Sequence, residues 1–208
     1  MLSGLEALER LRAGNRRFVD GTEAQNAVID RARRAELVSG QAPFAVILGC
    51  SDSRVPAEIV FDQGLGDLFV IRVAGNIIAP SLVGSVEFAV DLFATRLVVV
   101  LGHTQCGAIK ATLDELERPS GSRSPNLRAI VDRVRPSVEN LLEAGIQDRA
   151  ALARHAVRAN IRASANHLRH GSQIVEDLIQ DDGLLVVGAE YSLETGGVDF
   201  FDGVPEGA

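Results

Sequence analysis

The chain opens on Ser3-Gly4-Leu5-Glu6, an S-x-x-E capping box ahead of Leu5, Leu8 and Leu11 at helical spacing. Thr22 and Gln25 repeat the box before a second helical pattern that runs toward Gly40. The first forty residues therefore predict a charged helical arm. Its apolar face needs a cover, and a partner subunit is one candidate. Beyond the arm the period changes. Phe44–Gly49 (FAVILG), Leu68–Val73 (LFVIRV), Leu97–Leu101 (LVVVL) and Leu184–Val187 (LLVV) are short apolar runs with almost no polar alternation. Such runs predict strands buried on both faces, as in a parallel sheet. Between them, Leu82, Val86, Ala89, Val90 and Phe93 fall on one helical face. This alternation predicts an α/β fold, a mostly parallel sheet of four to five strands flanked by helices.

Further along, residues 118–125 (RPSGSRSP) predict an exposed loop. Helices are expected over 127–143 and 148–170, and a third after Gly171. Glu194-Thr195-Gly196-Gly197 predicts a hairpin turn that returns Val198–Phe201 antiparallel on the sheet edge. The length, 208 residues, fits one domain: an arm over 1–40, a core over 41–201 and a loose tail over 202–208.

Composition narrows the function. Hydrophobic residues are 46% and charged residues 24%, which excludes a disordered chain. Against 28 acidic residues stand 21 basic ones, a net charge of −7. Such a chain has no electrostatic footprint for phosphate backbones, so no nucleic-acid partner is expected. No apolar run approaches the ~18 residues that span a bilayer, so no membrane is expected either. The first residues lack the basic start and long apolar stretch of a secretory leader. The two cysteines are too few for a disulfide-stapled secreted scaffold. A cytoplasmic, reducing setting is expected.

Those cysteines carry the candidate chemistry. Cys50 ends the first strand, in Cys50-Ser51-Asp52-Ser53-Arg54. His103 and Cys106 follow the third, in Gly102-His103-Thr104-Gln105-Cys106-Gly107. Ligands of open α/β sheets gather beyond the carboxyl ends of strands, where strand order reverses. If the first and third strands are neighbours, the three side chains converge there. Two cysteines and a histidine suit zinc, and three protein ligands leave a fourth position open. A cysteine at a helix N-terminus is favoured as thiolate. Asp52 is placed to accept a hydrogen bond from a zinc-bound hydroxide, and Arg54 to hold that carboxylate bidentately. Swung the other way, Asp52 would take the fourth zinc position and close the site. From these residues alone a structural zinc site, inert buried thiols, a Cys50–Cys106 disulfide and a plain Asp52–Arg54 surface pair all stay open. His155, His167 and His170 read as solvated histidines on a polar helix. Arg31, Arg33 and Arg34 read as a solvated or subunit-facing surface. Gly64-Leu65-Gly66 lacks the third glycine of a dinucleotide fingerprint, and no phosphate loop is present.

Taken together, C-S-D-S-R-V, Pro56-Ala57-Glu58, Arg72-Val73-Ala74-Gly75-Asn76 and G-H-T-Q-C-G resemble a β-class carbonic anhydrase. The likeness runs from about Leu5 to Phe201, through the V-V-G-A-E-Y strand and the T-G-G-V turn, and points to the plant-like, open-site bacterial subgroup. It implies one zinc ion (Zn2+) per chain on Cys50, His103 and Cys106, with Asp52 and Arg54 as the dyad beside it. It implies reversible hydration of CO2 to bicarbonate by attack of zinc-bound hydroxide, in homodimers or homotetramers with sites at the dimer seam. It also implies substrate contacts from Gln41, from Phe69 as an apolar wall, from Phe88 at the pocket rim, and from the backbone N–H of Gly107. The sequence departs from the family's pattern at three of its positions. Phe88 stands where many members have tyrosine, Ala108 where many have a second glycine, and Ile47 where the bicarbonate-inhibited subgroup has tryptophan. Ile47 and Gln41 together imply an open, water-ligated resting state. Hydrolysis of carbonyl sulfide or carbon disulfide on the same scaffold, and a non-catalytic zinc or redox protein, are the alternatives.

Overall fold

A computed structural model of the chain describes residues 2–22, 31–118 and 124–207. The first capping box forms as predicted. Ser3 Oγ accepts the Glu6 backbone N–H at 3.3 Å and Glu6 Oε2 accepts the Ser3 N–H at 2.8 Å, opening helix α1 (Gly4–Asp20). The buried stripe of α1 is Gly4, Ala7, Leu8, Leu11, Gly14 and Asn15, while Leu5 is exposed. That stripe packs on the chain's own sheet, so the buried face of α1 is covered within the chain, while Val38, further along the arm, is exposed. The approach is close enough that a Cβ on Gly14 would stand 1.8 Å from the Phe61 carbonyl oxygen. Gln25 of the second box, and the start of the helix expected after it, lie outside the described residues. What is described is the short α2 (Arg31–Glu36) and a 3₁₀ turn over Leu37–Ser39.

Five strands form one sheet in the order β2-β1-β3-β4-β5. They are β1 (Ala45–Cys50), β2 (Leu68–Val73), β3 (Leu97–His103), β4 (Leu185–Tyr191) and β5 (Val198–Asp202). The first four are parallel and β5 runs antiparallel to β4. Three strands extend past their apolar runs: β1 to Cys50, β3 to His103 and β4 to Tyr191. Hydrophobicity ends before backbone pairing does, because Cys50 still pairs with Val73 and His103 with Tyr191. Strand β5 also takes in Asp202, whose carboxylate accepts a hydrogen bond from Arg169 Nη2 at 2.7 Å.

One sheet face is covered by α4 (Pro80–Leu92), α5 (Gly107–Glu117), α6 (Pro125–Glu143), α7 (Arg149–His170) and α8 (Gln173–Asp181). The other is covered by α1 and the single turn α3 (Ala57–Val60). Strand alternation sorts β1 between them: Val46, Leu48 and Cys50 face the first layer, Ala45 and Ile47 the second. Helix α6 starts two residues before its apolar pattern, because Ser124 Oγ accepts the Leu127 N–H at 3.2 Å and Pro125 occupies the first turn. Residues 119–123 of the expected loop lie outside the described residues.

Candidate metal centre

From β1 the sheet grows to β2 on one side and to β3 on the other, so strand order reverses between β1 and β3. Cys50 ends β1, His103 ends β3, and Cys106 is the N-cap of α5 three residues on. The donor atoms of the three lie within 4.8 Å of one another, and all three residues are buried.

Their geometry suits a cation. The sulfurs are 4.0 Å apart. Two thiolates on one tetrahedral zinc, each at ~2.3 Å, stand roughly 3.8 Å apart, whereas a disulfide closes to about 2.05 Å. Both thiols are free. His103 Nδ1 lies 2.8 Å from the Thr104 carbonyl oxygen, which only accepts, so Nδ1 carries the proton. The other nitrogen, Nε2, is left with a bare lone pair, buried and without a hydrogen-bond partner. An unsatisfied buried polar atom costs about 1–3 kcal/mol, a cost that a bond to a metal ion would relieve.

The field points the same way. The hydrogen bond shared with Cys106 draws the Cys50 thiol far below the ordinary thiol range, with burial opposing and the Gly75 N–H at 3.4 Å assisting. The same contact, with burial, pushes Cys106 up. Burial is the largest influence on the His103 pKa and lowers it, but the Cys50 sulfur, the Thr104 carbonyl and the Asp52 carboxylate together outweigh it and the net direction is upward. The Cys50 sulfur thus attracts positive charge to this point.

Asp52 stands at the edge of the cluster, with Oδ2 3.8 Å from His103 Nε2. Arg54 holds it there: Nε donates to Oδ1 at 2.9 Å, Nη2 to Oδ2 at 2.7 Å, and the Arg54 backbone N–H to Oδ1 at 3.0 Å. These bonds keep the Asp52 carboxyl well below the usual carboxylate range, so it is ionised at neutral and mildly acidic pH. Arg72 supports the loop from β2, donating from Nε to the Cys50 carbonyl at 3.1 Å and from Nη2 to the Asp52 carbonyl at 2.6 Å. The motif quoted Arg72, but nothing in the sequence gave it this role.

The remaining candidates fall elsewhere, except Gly107, which opens α5 beside Cys106. Gln41 precedes β1, at the end of the strand opposite Cys50, in a 610 Å³ groove with Leu37, Gly66 and Leu68. Phe69 pairs with Val46, four positions before the Cys50–Val73 pair, or roughly 13 Å down the sheet. It packs against Phe88 and Phe93, with ring centroids 6.2 and 6.1 Å away. One chain therefore assembles Cys50, His103, Cys106, Asp52, Arg54 and Gly107, and does not bring Gln41, Phe69 or Phe88 to them. His155, His167 and His170 are exposed. So are Arg31, Arg33 and Arg34, and Arg33 pairs with Glu36.

Fold and site together define a class: an open α/β protein with two thiols and one imidazole gathered at the switch point of its sheet. A family model described as carbonic anhydrase matches residues 45–198. The chain is 40% identical over 193 residues to carbonic anhydrase 2 of Mycobacterium tuberculosis, covering 91% of this chain and 89% of that protein. Its fold is similar to that of a β-carbonic anhydrase of Aspergillus fumigatus, with a TM-score of 0.73 and 28% identity over 83% of this chain and 81% of that one. A structure from a study of two tetrameric β-carbonic anhydrases of Sordaria macrospora also scores 0.73, at 25% identity over 81% of this chain and 85% of that one. The chain belongs to the β-carbonic anhydrase family, and is an enzyme of that class. No helix among the described residues is long and apolar enough to cross a membrane.

Proposed function

We propose that this enzyme hydrates CO2 reversibly to bicarbonate and a proton, using one zinc ion per chain held by Cys50, His103 and Cys106. Family membership supports the reaction. The observation that carries the site is the bare, buried Nε2 of His103 facing two sulfurs 4.0 Å apart, with an ionised carboxylate 3.8 Å away. When bound, zinc supplies Lewis acidity that lowers the pKa of a water from about 15.7 toward 7, making a nucleophile at neutral pH.

The chain's own groups do the rest. Two thiolates and a neutral imidazole balance the charge of a divalent cation. Asp52 accepts a hydrogen bond from the attacking oxygen and so aims its lone pair at the carbon of CO2. Arg54 keeps Asp52 ionised and turned out of the ligand set, the open arrangement. The Gly107 N–H, in the first turn of α5, is free of helical pairing and donates to the product anion. Stopped-flow CO2 hydration on zinc-quantified protein tests the reading. Turnover rises from neutral to alkaline pH, and Asp52, ionised throughout that range, does not shape the rise. A flat profile, or hydration at the buffer rate with full zinc, overturns it.

The assembly is a homodimer or homotetramer on this reading. Strand β2 is a sheet edge, and beside it Phe88 and Leu92 on α4 are 51% and 61% exposed. A second copy covering this edge would bury them, and would bring Gln41, Phe69 and Phe88 toward a site that one chain leaves without them. Sedimentation should give two or four times the chain mass, and Phe88→Glu should shift it to smaller species. A fully active monomer would contradict this. Two free thiols suit a reducing cytoplasm.

A further inference from the structure

We infer that Glu194 is a positioning residue for the metal site: its carboxylate fixes the two residues between His103 and Cys106 and so sets the spacing of those ligands. The inference rests on the zinc reading above. Only Thr104 and Gln105 separate the two ligands. Both donate to Glu194, Thr104 Oγ1 to Oε2 at 2.7 Å and Gln105 Nε2 to Oε1 at 2.6 Å. Ser192 Oγ adds a third bond to Oε2 at 3.1 Å.

Thr104 is pinned twice more. Its N–H donates to the Tyr191 carbonyl at 2.9 Å, and its hydroxyl oxygen accepts the Leu193 N–H at 3.0 Å. Its carbonyl in turn orients His103 through Nδ1. Gln105 has φ +56°, a left-handed conformation that a residue other than glycine holds where its surroundings impose it. The carboxylate gripping its side chain is such a constraint. Glu194 itself sits in a tight turn, where Ser192 N–H donates to the Gly197 carbonyl and Gly196 N–H to that of Ser192, each at 2.9 Å. The donors from Thr104 and Gln105 hold its carboxyl down to about 2, which keeps it a charged acceptor.

A purely structural role would make Glu194 a clamp on the β4–β5 turn alone. Zinc affinity, read by competition with a chromophoric chelator, and the visible spectrum of the cobalt-substituted protein separate the two roles. Glu194→Ala should weaken zinc binding about 10–100-fold, the usual range for groups that orient a metal ligand. It should shift the cobalt bands and leave the unfolding temperature of the metal-free protein unchanged. Glu194→Gln, which keeps one acceptor, should recover part of the affinity. Asp199→Ala, on the same hairpin, removes the 2.8 Å bond from Arg158 Nη1 of α7 and does not reach the ligand loop, so it should bind zinc as the parent chain does. Should Glu194→Ala not fold, Glu194→Gln decides by the same readouts. Zinc affinity within twofold of the parent with unchanged cobalt bands overturns the inference, as does equal weakening by Asp199→Ala. Failure of the parent chain to take up zinc one to one overturns the metal reading instead.

Discussion

Asp52→Ala should retain one zinc per chain and lose at least ~100-fold in CO2 hydration, within the range for removing a positioned acid–base or orienting group. The retention follows from geometry, since Cys50, His103 and Cys106 gather their donors without Asp52. The loss follows from position. Asp52 Oδ2, 3.8 Å from His103 Nε2, is the carboxylate oxygen beside the cluster, and in the proposed mechanism it is the acceptor that orients the attacking oxygen. The fold should be little changed, because the partner left behind, Arg54, is 52% exposed and can be solvated. Asp52→Asn sharpens the result. It keeps the shape and loses the charge, so a comparable drop assigns the effect to the ionised acceptor rather than to the space filled. Metal analysis with stopped-flow rates decides. Turnover within threefold of the parent at full zinc would reduce Asp52 to a surface ion pair.

How much of this was legible in the sequence follows from the range of each interaction. The parallel strands announced themselves through apolar runs, because burial on both faces leaves no room for polar alternation. Cys50, His103 and Cys106 could be brought together from the sequence because strand ends in such a sheet have one place to converge. The strand ends themselves were misplaced by up to four residues. Gly188, Ala189 and Glu190 carry little hydrophobic signal yet stay in the β4 ladder. Two of the three leucines expected along α1, Leu8 and Leu11, are buried, while Leu5 gives way to Ala7 and two glycines that let the helix approach the sheet. Glu194 read only as part of a turn. Its contact with Thr104 spans 90 residues and depends on the register that sets His103 against Tyr191. The sequence named Gln41, Phe69 and Phe88 through resemblance alone, and the fold of one chain does not bring them to the Cys50, His103 and Cys106 cluster.

His103, whose ring is wholly buried, supplies the one imidazole of the cluster. His103→Ala should abolish zinc-dependent hydration and remove the stabilisation that zinc gives. Truncating a buried side chain leaves a cavity, which by comparison with aliphatic truncations costs about 2–5 kcal/mol. In the metal-free parent, however, Nε2 is already an unsatisfied buried atom, a burden of about 1–3 kcal/mol that the variant sheds. The metal-free proteins should therefore differ less in stability than cavity size alone suggests. The zinc-loaded proteins should differ more, because a ligand that binds only the folded state adds about 2.7 kcal/mol at a hundredfold excess over its Kd. Thermal unfolding with and without added zinc reads both terms. The parent should rise in unfolding temperature as zinc is titrated, and the variant should stay flat over the same range. A variant that is still stabilised by zinc to the parent's extent, or that hydrates CO2 above the buffer rate, would show that the cation is held without this imidazole.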